Sequence, residues 1–155
     1  MIPERAAAEL RRLTQARERA IERRTSLVHQ VYGLVFTVFP EFLWPMKNIK
    51  TKTAHYLLKQ SPRPRDIVAI GCEPLTEIMK KISRGKLGKA RAEALYKAAV
   101  NSVGVREGQG SMVFEISQLM DGIEKTECSL DEIEGKMKEY LKKYPTVDLC
   151  YRYKG

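Results

Sequence analysis

The chain has 155 residues, with 28 Lys+Arg against 19 Asp+Glu, a formal net charge of +9 and a pI near 9.5. That length suits one domain with an ordinary core rather than two, and the basic excess points to a polyanionic partner. No apolar run approaches the roughly 18 to 20 residues that span a bilayer, and Met1-Ile2-Pro3-Glu4-Arg5 offers no apolar h-region, so a cytoplasmic protein without a membrane partner is expected.

After Pro3 the chain meets no further proline until Pro40, which predicts a long helix over 4–39, about 54 Å at roughly 1.5 Å per residue. Its apolar seam reads Leu10, Leu13, Arg17, Ala20, Arg24, Leu27, Val31, Leu34, Val38, alternating steps of three and four as coiled coils do. Gly33 weakens it locally. Residues 40–106 read as a cap of short helices: Thr53 to Gln60, Pro64 through Ile70, Pro74 as first residue of a helix to Ile82, and Lys89 to Val103 with Gly104 as its stop.

A second long helix is expected over 111–144, ended by Pro145, with a tail over 145–155. Its seam is Val113, Ile116, Met120, Ile123, Glu127, Leu130, Glu134, Met137, Leu141, Tyr144. Run antiparallel, the two seams set Arg17 against Glu134 and Arg24 against Glu127, whereas parallel self-pairing would oppose like charges at both interruptions. Ser129-Leu130-Asp131-Glu132 is a capping-box pattern that could restart this helix. No strand-like alternation of useful length appears. The expected fold is all-α: two long antiparallel helices forming a coiled-coil stalk, with a small cap of short helices between them, in a single domain.

Charge is unevenly spread. Residues 1–30, 31–66 and 67–104 carry +3, +4 and +4, residues 105–141 carry −5, and the remainder +3. Between residues 79 and 97, Lys80, Lys81, Arg84, Lys86, Lys89, Arg91 and Lys97 face a single acid, Glu93. Within that run Ser83-Arg84-Gly85-Lys86-Leu87-Gly88-Lys89 joins two predicted helices. Backbone N–H groups freed by Gly85 and Gly88 ahead of a helix N-terminus suit phosphate. A second strip is Lys47, Lys50, Lys52, Lys59, Arg63 and Arg65, with no acid from 42 to 65. Trp44 and Tyr56 interleave with it, either as nucleic-acid contacts or as anchors of cap to stalk. Arg5, Arg11, Arg12, Arg19 and Arg23 read as a solvated helix face with Glu partners.

Catalytic constellations are not evident. His29 and His55 lack ligands at metal spacing, and Cys72, Cys128 and Cys150 read as small reduced hydrophobes rather than a disulfide or zinc framework. P-loop and dinucleotide-binding patterns are missing, and Met79, Met112, Met120 and Met137 read as core. No metal, cofactor or small-molecule substrate is expected.

Seven segments in order carry a resemblance. They are Arg11-Arg12-Leu13-Thr14-Gln15-Ala16-Arg17, Thr25-Ser26-Leu27-Val28, Val38-Phe39-Pro40-Glu41-Phe42, Lys52-Thr53-Ala54, Pro64-Arg65-Asp66-Ile67, Ser83-Arg84-Gly85-Lys86-Leu87-Gly88 and Ala98-Ala99-Val100-Asn101-Ser102-Val103-Gly104-Val105. Over residues 8–144 the chain resembles the helical coiled-coil linker of the IS-one-ten insertion-sequence transposases, DEDD-type recombinases related to the Piv invertases and guided by bridge RNA. The resemblance implies a fragment of a larger protein. A RuvC-like domain with four metal-binding acids would precede it and a catalytic-serine domain would follow. The chain departs from the family at Tyr153-Lys154-Gly155, where a Pro-Gly-Ile-Gly turn is usual.

The implied role is non-catalytic: spacing the catalytic domains, helping protomers assemble as a homo-oligomer, and touching DNA and guide RNA during transposition. Two rival readings are a pure oligomerisation scaffold and a free-standing helix-turn-helix regulator over 74–103. The latter would need base-reading side chains at the start of its second helix, where only Lys89 and Arg91 qualify.

Overall fold

The computed structural model describes residues 4–143, and the expected roles of Pro3, Tyr144, Pro145, Cys150 and the 145–155 tail lie outside them. Among the described residues the chain is helical throughout, without strands. Its elements are α1 (Glu4–Val38), a 3-10 helix (Pro40–Leu43), α2 (Lys52–Gln60), α3 (Pro64–Ile70), α4 (Cys72–Ser83), α5 (Lys89–Val100) and α6 (Gln109–Lys143). The long helices α1 and α6 pack together. The chain forms two compact units, one combining α1 through Ser26 with α6 from Ile123, the other running Leu27–Gly122.

In the first unit the buried side chains are Ala6, Leu10 and Ala20 of α1 with Ile123, Thr126 and Leu130 of α6. Arg17 Nε donates to Glu134 Oε1 at 3.2 Å, the pairing expected from the seams. Arg24 and Glu127 are both half-buried, but no ion pair joins them among the described residues. The expected restart at Ser129 does not occur: α6 continues through it, its interior ladder already satisfying the groups that a cap would serve.

In the second unit, Val31, Val35, Val38, Phe39, Phe42, Ile49, Leu57, Leu58, Ile67, Leu75, Met79, Leu95, Ile116 and Met120 are buried to about the last percent of their surface. Phe39 and Phe42 meet edge to face, centroids 5.6 Å apart. α5 is the hub, packing on α3, α4 and the 3-10 helix, and its buried Ala92 and Ala99 keep that face small enough for close approach.

Local chemistry sets the ends of the short helices. Thr51 caps α2, its Oγ1 accepting from Ala54 N at 3.3 Å. Asp66 in the first turn of α3 accepts from Arg63 N at 3.3 Å and from Arg63 Nε at 3.0 Å. Gly71, at φ 88°, ends α3 and opens α4, which starts at Cys72 rather than Pro74. Pro74 fits the first turn because the N–H it lacks has no partner there.

Two expectations change at the end of α5. The helix stops at Val100, and Gly104 is not its cap. Instead the buried carboxylate of Glu41, in the 3-10 helix, accepts from Ser102 Oγ at 2.7 Å and from Val103 N at 2.9 Å. These bonds draw the chain out of helical geometry after Asn101. The segment then lies on the end of α1, Val105 N donating to Thr37 O at 2.9 Å. Gly104 is where the backbones come closest: a Cβ there would lie 1.9 Å from Val38 O.

Candidate functional site

The loop between α4 and α5 is built by a left-handed turn. Arg84 adopts φ 55°, ψ 41°, a conformation that costs a non-glycine residue energy, and Gly85 follows at φ 85°. Gly85 N reaches back to Lys80 O at 2.8 Å, Lys86 N to Ser83 O at 3.3 Å, and Leu87 N to Ser83 Oγ at 2.9 Å. The backbone N–H groups at 85–87, expected to be free for phosphate, are therefore consumed in holding the turn. What the loop presents is side chains: Lys80, Lys81, Arg84, Lys86 and Lys89 are all exposed. Among the described residues Lys89 alone of these makes an ion pair, with Glu93 at 3.9 Å on the next turn of α5, while Glu77 shares a shallow concavity with Lys80 and Lys81.

The second strip divides. Lys47, Lys50 and Lys52 are exposed and flank a tight turn, in which Lys50 N donates to Asn48 Oδ1 at 3.0 Å and Lys47 O accepts from Tyr32 Oη at 2.8 Å. Lys59 is drawn away to Asp121, 2.7 Å from its Nζ, and Arg63 is held by Asp66. Among the described residues no ion pair ties down Lys47, Lys50, Lys52, Arg65, Lys80, Lys81, Arg84 or Lys86.

Two concavities in the Leu27–Gly122 unit take in two of these cations, Arg65 and Lys47. One, of about 560 Å³, has Arg63, Arg65 and Arg106 on its walls with Val68 and Val100 between them and the start of α6, Gln109 and Gly110, at its edge. Arg106 belongs to no expected site. It lies in the net-acidic 105–141 segment, where a count of charge hides it, and the signal that could have found it is Gly108-Gln109-Gly110 opening a helix beside it. The other groove joins the two strips, because Lys47 and Arg91 line it together with Trp44, Pro45, Ala90, Ala94 and Ala98. Arg91 Nη1 donates to the Pro45 carbonyl.

Trp44 is 74 % exposed, so it does not anchor one part of the chain to another, and Tyr56 is 41 % exposed. Gly88, half-buried, precedes α5, and Lys97, exposed, lies in its last turn. Among the described residues no group of three or more His, Cys, Asp or Glu converges in a way that could hold a metal ion. Cys128 is exposed rather than the small buried hydrophobe expected, because it falls off the α6 seam. Met79 and Met120 are core; Met112 and Met137 are half-buried. No helix among the described residues is long and apolar enough to cross a membrane. Compared with protein-family models, curated proteins and solved structures, the chain matches none.

Proposed function

We propose that this chain is a non-catalytic helical region that binds nucleic-acid phosphates, with α1 and α6 paired as an antiparallel coiled coil. The observation that carries the binding half is the set of exposed cations at 47–52, 65 and 80–86 that make no ion pair among the described residues, two of which, Lys47 and Arg65, line concavities whose walls bear no carboxylate. Cations without acid partners raise the local potential and release counterions when they meet phosphate. Because the turn at 84–87 uses its own N–H groups, contact there is through flexible side chains, which favours the backbone over base edges.

Two contacts support the antiparallel register, one within each unit. Arg17 pairs with Glu134, and Leu27 lies against Gly122, 3.3 Å from where a Cβ would be. Both fall within one residue of the register in which opposite charges meet at the polar interruptions. The role in a DNA transposase or site-specific recombinase, spacing catalytic domains and helping protomers assemble around DNA and guide RNA, rests on the ordered resemblance of residues 8–144 to the IS-one-ten linker. The helix-turn-helix reading is weakened by Arg91, which is fixed on Pro45.

Two triple variants test the binding half by fluorescence anisotropy with duplex DNA and with structured RNA. Arg84→Ala/Lys86→Ala/Lys89→Ala and Arg63→Ala/Arg65→Ala/Arg106→Ala are each expected to weaken binding at least about tenfold, or 1.4 kcal/mol, for every sequence alike. Unchanged affinity in both would overturn these cations as the binding surface, and no binding by the wild type at low salt would leave a pure oligomerisation scaffold. Metal-dependent nuclease activity of the chain would overturn the non-catalytic part.

A further inference from the structure

Trp44 occupies an unusual position for the chain's sole tryptophan. Its backbone follows the 3-10 helix and is firmly held: Trp44 N donates to Glu41 O at 3.3 Å, Met46 N donates to Phe42 O at 3.1 Å, and Pro45 and Met46 are buried. Phe39 and Phe42, a few residues earlier, are wholly buried, yet the indole is 74 % exposed. A large aromatic ring on a fixed backbone, held out of an adjacent aromatic core, exposes apolar surface that nothing among the described residues covers.

The indole's surroundings specify what fits. It forms one wall of a groove of about 450 Å³ whose other wall is α5, where Ala90, Ala94 and Ala98 leave a shallow surface rather than a deep apolar pocket. Lys47 and Arg91 are the charged residues of the lining, and both are cations. Arg91 is positioned by its bond to the Pro45 carbonyl and keeps further N–H donors for a ligand. A flat π-face bracketed by positive charge matches a base attached to phosphates on either side, whereas an apolar peptide anchor would find no pocket and no acidic complement.

We infer that Trp44 is a stacking platform for an unpaired base of single-stranded nucleic acid, with Lys47 and Arg91 holding the flanking phosphates. The inference rests on the nucleic-acid reading above and adds to it a preference that duplex cannot satisfy, since a paired base hides its faces in the helical stack. Stacking on one aromatic side chain is worth about 5- to 150-fold in affinity.

The sole tryptophan is also the reporter. The full chain is titrated with oligo(dT), with an abasic strand of equal length and with duplex DNA, following both indole emission and the anisotropy of labelled strands. Oligo(dT) is expected to quench the indole while the abasic strand binds without quenching. Trp44→Ala is expected to lower oligo(dT) affinity about 5- to 150-fold and leave duplex affinity unchanged, and Trp44→Phe to restore most of the loss. Circular dichroism checks that each variant is folded, which an exposed side chain makes straightforward. Oligo(dT) binding with unchanged emission, or with equal affinity for Trp44→Ala, overturns the stacking role. Duplex binding without oligo(dT) binding overturns it too, while the phosphate-binding reading stands. No binding to any strand at low salt overturns both.

Discussion

At the scale of single residues, Glu41 is the side chain whose removal should be felt furthest along the chain. Burial pushes its pKa up, but the hydrogen bonds from Val103 N–H, Ser102 Oγ and its own backbone N–H together outweigh that and hold the carboxyl below its ordinary value of 4.5. A depressed folded pKa means that the ionised form contributes stability above the unfolded value and loses it as pH falls through the folded one. The stability of the wild type to urea should therefore fall as pH drops below the ordinary glutamate range, and Glu41→Gln should flatten that fall. At neutral pH Glu41→Ala leaves Ser102 and Val103 unpartnered and should cost about 1–3 kcal/mol. Gly104 gives a steric counterpart: an added Cβ would meet Val38 O at 1.9 Å and Val38 C at 2.6 Å, backbone that cannot rotate away. Gly104→Ala is expected to cost at least about 1–3 kcal/mol, as overpacking does. Gly33, mid-helix with nothing within 4 Å of an added Cβ, is the control, and Gly33→Ala should stabilise by about 0.5–1 kcal/mol in the same melts.

At the scale of elements, the pairing of α1 and α6 is open to a double-mutant cycle. Arg17 and Glu134 keep 33 % and 44 % of their side-chain surface exposed, so solvent screens the pair and about 0.2–1 kcal/mol of coupling is expected. Arg17→Glu should destabilise, and adding Glu134→Arg should recover most of the loss. Failure to recover would mean that the two positions do not face one another in solution. This part of the fold was readable from the sequence because a three-four repeat acts locally: every described seam position, from Leu10 to Val38 and from Val113 to Leu141, is buried or half-buried. The end of α5 was not readable, because what stops it is a carboxylate 61 residues earlier. A glycine at 104 mimics a helix stop in sequence while serving a backbone contact in space. The same limit applied at the candidate site. Charge runs marked Lys80 to Lys89, but the internal use of the loop's N–H groups, the joining of Lys47 with Arg91, and Arg106 beside Arg63 and Arg65 depend on packing that no local pattern records.

At the scale of the whole molecule, the expected binding residues from Lys47 to Arg91 all belong to the Leu27–Gly122 unit, while two acids of α6, Glu134 and Asp121, pair with Arg17 and Lys59. Charge is thus partly sorted: two acids of α6 tie cations of other helices, while most cations of the short-helix region make no ion pair among the described residues. If that sorting serves phosphate binding, it must appear as salt dependence, since counterion release makes log affinity linear in log salt with a slope near −0.9 per duplex phosphate contacted. Phosphate binding by these cations is decided by the affinity of the full chain for duplex DNA across a salt series, beside Arg84→Ala/Lys86→Ala/Lys89→Ala. A steep negative slope is expected, which the triple variant reduces by about three. A slope near zero, or no binding at low salt, would contradict it and leave the cations as a solvated surface.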